Sequence, residues 1–195
     1  GSNRTISHSL SAKPAMIIVK QRSEVRDWWV YNKHLHGTDG ATGVLYLDLT
    51  DAAGTSATTS WNSTAPTTSV FSLGTTVGVN KDTETYIAYC FAEIQGYSKF
   101  GSYEGVNNAD GPFCFTGFRP AFILIKDADG ANAWHIRDNK RSTYNPSINF
   151  LMPDASDAEV TAGEKIDILS NGFKIRQTGG KVNDSGETYI YMAFA

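Results

Sequence analysis

Apolar and polar positions alternate with a period of two along most of the chain, and the 3.6 period of a helix is almost absent. The alternation predicts strands at 16–20, 28–32, 44–49, 70–73 and 86–91. Further strands are expected at 99–103, 113–116, 122–126, 134–138, 165–169, 173–177 and 188–194. Turn formers separate them, among them Asp110-Gly111 and Asp129-Gly130. Asn171-Gly172 lies between Ile166-Asp-Ile-Leu169 and Phe173-Lys-Ile-Arg176. It predicts a hairpin, because Asn-Gly accepts the positive φ angles of a type I′ turn. A single short helical turn is expected near 154–159, capped by Asp154 or Ser156. So many short strands with Gly-rich turns predict an all-β fold, a sandwich or a barrel.

The strand pattern occurs twice. Pro14-Ala-Met-Ile-Ile-Val-Lys20 matches Pro120-Ala-Phe-Ile-Leu-Ile-Lys126, and both continue at the same spacing to a tryptophan, Trp28 and Trp134. Glu84-Thr-Tyr-Ile-Ala-Tyr-Cys-Phe-Ala92 matches Glu187-Thr-Tyr-Ile-Tyr-Met-Ala-Phe-Ala195. Val79-Asn80 parallels Val182-Asn183, and Phe71 parallels Phe173. The offsets are 106 residues at one end of the unit and 103 at the other. Agreement at both ends indicates an internal duplication. The expected arrangement is one continuous β-sandwich of pseudo-symmetric halves, about 14–93 and 120–195, joined by the strand-bearing segment 94–119. Two separate β-domains are the alternative. The copies diverge most at 37–43 and 51–68 in the first and at 142–164 in the second. Variable loops on a repeated scaffold are where binding specificity is commonly placed. Copy two is preceded by Lys99-Phe-Gly-Ser-Tyr103, and copy one has no equivalent, so the chain reads as a piece of a longer protein.

Composition narrows the class. The 195 residues carry a net charge of −3, which argues against a basic nucleic-acid-binding face and against docking on anionic membranes. No apolar run is long enough to predict a membrane-spanning helix. Two cysteines, Cys90 and Cys114, make neither a disulfide framework nor a zinc site. They read as small buried hydrophobes, with a single bridge as the alternative.

Candidate chemistry is sparse. No nucleophile elbow, zincin helix or phosphate loop is present. His34 and His36 could share one strand face but lack a third metal ligand, so a solvated loop end is expected. Asp127, Asp129 and Asn132 resemble the start of an oxygen-ligand calcium loop, although an ordinary turn accounts for them too. Asp154, Asp157, Glu159 and Glu164 are carboxylates of one polar loop, read as solvent-facing charge and not as a glycosidase pair. Aromatic rings that could stack on sugars are more promising. Trp28 matches Trp134, which points both inward, so Trp29 and His135, one residue on, are expected to face outward. Trp61, in a Ser/Thr-rich stretch, is a further exposed candidate, as are Tyr103 and Tyr144 beside turns.

These segments together resemble a known family. Ile6-Ser-His-Ser-Leu10, Gly96-Tyr-Ser-Lys-Phe-Gly-Ser-Tyr103, Asp110-Gly-Pro-Phe-Cys-Phe-Thr-Gly-Phe-Arg-Pro120 and Gly186-Glu-Thr-Tyr-Ile-Tyr-Met-Ala-Phe-Ala195 resemble the repeated β-rich domain of marine bacteriophage tail-fibre and other virion structural proteins. The resemblance covers nearly all of the chain after residue 5. It implies a jelly-roll or lectin-like β-sandwich on the extracellular face of a virion appendage. It further implies a host cell-surface glycan or protein and other virion modules as partners, with a homotrimer as one compatible assembly. It carries over no catalytic residue and no cofactor beyond the weak calcium candidate. It implies no nucleic acid and no membrane insertion. Cys114 departs from the aliphatic residue usual there, which weakens a shared disulfide. Three functions follow as expectations: a non-catalytic adhesion module, a structural or oligomerisation spacer of the virion, and a glycan-degrading enzyme.

Overall fold

Residues that alternate in burial pair into antiparallel sheets wherever the period is two. The computed structural model describes residues 1–55 and 57–195. Among the described residues it is almost all β: thirteen strands in four antiparallel sheets, with two short α-helices. The chain divides into two units, Gly1–Glu93 and Ile94–Ala195, and each sheet lies within one of them.

The first unit contains β1 (Arg4–Ser7), β2 (Met16–Gln21), β3 (Trp29–Asn32), β4 (Leu45–Tyr46), α1 (Ala57–Trp61), β5 (Val70–Leu73), α2 (Val77–Asn80) and β6 (Tyr86–Phe91). One sheet has the order β4-β3-β2-β6, and β1 pairs with β5 in the other. Ile17, Val19 and Tyr31 of the larger sheet meet Phe71 and Leu73 of the smaller, with Trp61 and Val79 of the helices closing the core.

The second unit contains β7 (Ser98–Glu104), β8 (Phe113–Phe115), β9 (Phe122–Asp127), β10 (His135–Asp138), β11 (Ile166–Leu169), β12 (Gly172–Ile175) and β13 (Thr188–Phe194). Its sheets have the orders β10-β9-β13-β7 and β11-β12-β8. The segment 94–119 thus supplies two strands to this unit. Ile123, Ile125, Tyr189 and Tyr191 face Cys114, Ile166, Ile168, Phe173 and Ile175 across its core.

The two units share their registers. Met16 pairs with Asn32 and Phe91, and Phe122, 106 positions later, pairs with Asp138 and Phe194. Ile6 pairs with Phe71 as Cys114 pairs with Phe173. Asp48 Oδ1 accepts the Trp28 N–H at 2.9 Å, and Asp154 Oδ1 accepts the Trp134 N–H at 3.0 Å. Each unit also holds a buried asparagine at the same place. Asn80 donates to the carbonyls of Ser2 and Gly74, and Asn183 donates to those of Asn108 and Gln177. Asn183 Oδ1 also accepts the Val106 N–H at 2.9 Å. Removing that amide strands buried backbone groups. Asn183→Ala is therefore expected to cost about 2–3 kcal/mol in chemical denaturation. A loss below about 0.5 kcal/mol would mean that water replaces the amide.

Several expectations need correction. The strand expected at 44–49 is only the two-residue β4, and β1 went unpredicted. No helix forms near 154–159: Asp154 sits in a turn, where its carboxylate accepts the Trp134 N–H and caps no helix. Instead α1 and α2 form in copy one. The β11–β12 hairpin forms, but Leu169 pairs with Gly172, so its loop is Ser170-Asn171. Asn171 and Gly172 are not among the positive-φ residues. Gly172 is required for room, since a Cβ there would collide with the Cys114 carbonyl on β8.

Candidate functional site

Cross-strand partners project to the same face of a sheet. Val19 pairs with Trp29 and Ile17 with Tyr31, so Trp29 follows Val19 and Ile17 toward the core. Its ring packs edge-on against Tyr46 at 4.8 Å, and Gly78 leaves room for the indole. Trp28 takes the opposite face, stacked on Tyr89 with Lys20 Nζ 5.9 Å from its ring. The expected orientation of this pair is thus reversed. In the second unit Ile125 pairs with His135, so His135 is buried at 1% exposure, where an outward ring was expected. Trp134 is buried as expected.

Trp61 is also buried, at 2%. Its indole N–H donates to the Gly43 carbonyl at 3.0 Å, and its ring meets Tyr31 edge-on. The Ser/Thr-rich surroundings concealed a core residue, because the ring lies on the inner face of α1. Tyr103 is buried too, stacked on Tyr189 with its hydroxyl donating to the Val182 carbonyl at 2.9 Å. Of the five aromatic and imidazole candidates, Tyr144 alone is widely exposed, at 86%.

His135 belongs to a polar group inside the second unit. Its ring stacks on Phe150 at 4.1 Å, and neither ring nitrogen has a hydrogen-bond partner. Burial first, and then the cations Arg137, Lys181 and Lys126, pull its pKa down to about 3. Arg137 pairs with Ile123 and so faces inward as well. Its guanidinium is fully buried, lies 4.8 Å from the Phe150 ring centroid and donates to the Ser147 carbonyl at 3.0 Å. Its Nη2 is 3.9 Å from a Glu164 oxygen, a charge contact too long for a hydrogen bond. The first unit has Trp29 and Tyr31 at the matching positions, so the scaffold does not require a His and an Arg there. Aligning the copies and asking which β10 residues share the face of Ile123 and Ile125 would have located this group.

Two open depressions flank the variable segment 142–164. One, of about 520 Å³, is lined by Phe150, Glu164, Lys165, Gln177 and Lys181 among others. The second, of about 660 Å³, is lined by Phe122, Asp138, Asn139, Lys140, Arg141 and Glu159. In it Arg141 bridges two carboxylates, with Nε donating to Asp138 at 3.2 Å and Nη1 to Glu159. The first unit has Asn32, Leu35 and Ala53 at the positions of Asp138, Arg141 and Glu159, so this network is not repeated. Tyr144 lies three residues beyond Arg141 in the same loop.

The remaining candidates are engaged locally. Asp127 Oδ1 accepts the N–H groups of Asp129 and Gly130, its Oδ2 accepts Asn132 Nδ2, and Asp129 Oδ2 accepts the Thr188 N–H. Lys126 Nζ donates to the Asp127 and Gly130 carbonyls, so an ammonium already occupies that loop. Among the described residues no group of three or more His, Cys, Asp or Glu side chains is arranged to hold a metal. His34 and His36 fall in a turn and not on a strand. Cys90 and Cys114 are free thiols, and burial raises both, Cys114 to about 12. Such thiols are poor nucleophiles at neutral pH.

No curated protein and no solved structure matches this chain. A family model described as Domain of unknown function (DUF7483) matches residues 1–195. The chain is therefore a member of the DUF7483 family along its whole length.

Proposed function

We propose that this chain is a non-catalytic recognition module of a phage tail fibre or related virion appendage, binding a host cell-surface glycan through the loops of its second unit. One observation carries the reading. The two units share strand registers and buried asparagines, yet among the described residues the second alone has the Asp138–Arg141–Glu159 network in an open depression, and an exposed tyrosine, Tyr144, follows Arg141 by three residues in the chain. Charged side chains held in fixed geometry match sugar hydroxyls, and an exposed aromatic face matches the apolar face of a pyranose ring. An open depression fits weak contacts that become strong through multivalent display, as in a homotrimer. Calcium is not needed for this mode of binding.

The test is retention of the assembled protein on host cells and on isolated host polysaccharide. Tyr144→Ala is expected to weaken binding about tenfold while leaving the melting temperature unchanged, since only an exposed ring is lost. Undiminished binding by Tyr144→Ala, or no binding to host cells or polysaccharide, would overturn the reading. Release of reducing sugars from that polysaccharide would favour a glycan-degrading enzyme instead. A spacer or oligomerisation role is the second reading, and the place of β6 at the end of its sheet in the first unit favours it.

A further inference from the structure

The repeat supplies its own template for a missing part. In the second unit β13 is paired on both sides, with β9 and with β7. Its counterpart in the first unit, β6, pairs with β2 and, among the described residues, ends its sheet. In the second unit β7 also delivers Tyr103 to the core, against Phe173, Val182 and Tyr189. The matching residues of the first unit are Phe71, Val79 and Tyr86, and they line an open groove of about 190 Å³. A cavity on the order of 150 Å³ holds a benzene ring, so this groove has room for an aromatic side chain.

Burial marks the same gap. Ile6 is 36% exposed, whereas its counterpart Cys114 is 5% exposed. Ala88 points along the inner face of β6 yet is exposed, whereas its counterpart Tyr191 is 6% exposed. Ile87 and Tyr89 on β6 are exposed as well, at 39% and 42%. A strand that ends its sheet beside an apolar groove has the geometry of strand addition, in which main-chain bonds provide affinity and a pocket selects side chains.

We propose that the first unit is a strand acceptor. An extended polypeptide segment from outside these 195 residues, with the alternation of β7, pairs antiparallel with β6. It places an aromatic ring opposite Tyr86, in the groove formed by Phe71, Val79 and Tyr86. The acceptor also differs from the template in a way that defines its specificity. Gly101 of β7 lies opposite Tyr191, and a Cβ there would collide with that ring. The first unit has Ala88 in place of Tyr191, so the incoming segment can carry a larger residue at that position. The inference stands on the repeat alone and does not depend on the proposed glycan ligand.

The experiment uses the whole chain and a labelled peptide of residues 97–105, followed by fluorescence anisotropy. Saturable binding is expected, about tenfold weaker for the peptide carrying Tyr103→Ala. The native chain should also bind a Gly101→Val peptide, whereas an Ala88→Tyr chain should bind it about tenfold less well and still accept the unaltered peptide. Amide exchange at 86–91 should slow in the complex. Absence of saturable binding, or equal affinity across all these combinations, would overturn the proposal. So would a concentration-dependent dimer that protects 86–91 and excludes the peptide, because the edge would then belong to a second copy.

Discussion

Replacing Trp61 with alanine is expected to lower the unfolding free energy of the first unit by about 3–5 kcal/mol. The indole is 2% exposed and packs among Tyr31, Val44 and Phe71 in the core. Alanine would leave a cavity bounded by two sheets and a helix, which cannot all move inward together. It would also strand the Gly43 carbonyl, which accepts the indole N–H at 3.0 Å. Trp61→Phe separates the two contributions: it keeps most of the ring volume and should cost about 1–2 kcal/mol, mainly the lost hydrogen bond. Differential scanning calorimetry checks both, with the shift confined to the transition of the first unit. A Trp61→Ala shift below about 1 kcal/mol would show that the core around α1 collapses to fill the space.

Acidification should destabilise the second unit well before the ordinary carboxylates titrate. His135 has a pKa of about 3 in the folded chain, held down first by burial and then by Arg137, Lys181 and Lys126. The unfolded chain takes up its proton near the ordinary imidazole value of about 6.5. Between those values the unfolded state binds the extra proton, so stability rises with pH. The contribution of His135 is complete above about pH 6.5 and is lost as the pH falls toward 3, by about 1.4 kcal/mol per unit. The total is on the order of 5 kcal/mol, a large share of the stability of a small domain. Denaturant midpoints measured from pH 7.5 to 4 read this slope. His135→Phe should flatten it, because phenylalanine keeps the stack on Phe150 without a titrating ring. An equal slope in wild type and His135→Phe would assign the acid sensitivity to other groups.

The strands were legible because one buried face imposes a period of two. The segments 70–73, 86–91 and 188–194 match β5, β6 and β13 residue for residue. The similarity of the two halves was legible as well, and Met16 and Phe122 occupy matching registers in the two units. Loop chemistry was legible only as divergence: the segment 142–164 stood out, but the partners of Arg141 did not. Asp138 and Glu159 are brought to Arg141 by a turn at one end and by the return of the variable segment at the other. Tyr144 was identified by its type and its place beside a turn, and the fold leaves it as the exposed member of its set.

The amino-acid sequence by itself determined the all-β class and most strand positions, because these follow from local alternation. It did not determine which face of β3 and β10 turns inward. That choice belongs to the pairing partner: Val19 and Ile125 carry Trp29 and His135 to the core, although the neighbouring tryptophans suggested the reverse. Nor could alternation place Trp61, whose burial comes from α1 closing the sandwich. The open edge of β6 likewise required the tertiary structure. A strand at the end of a sheet has the same local pattern as one inside it, and only its neighbours in space distinguish them.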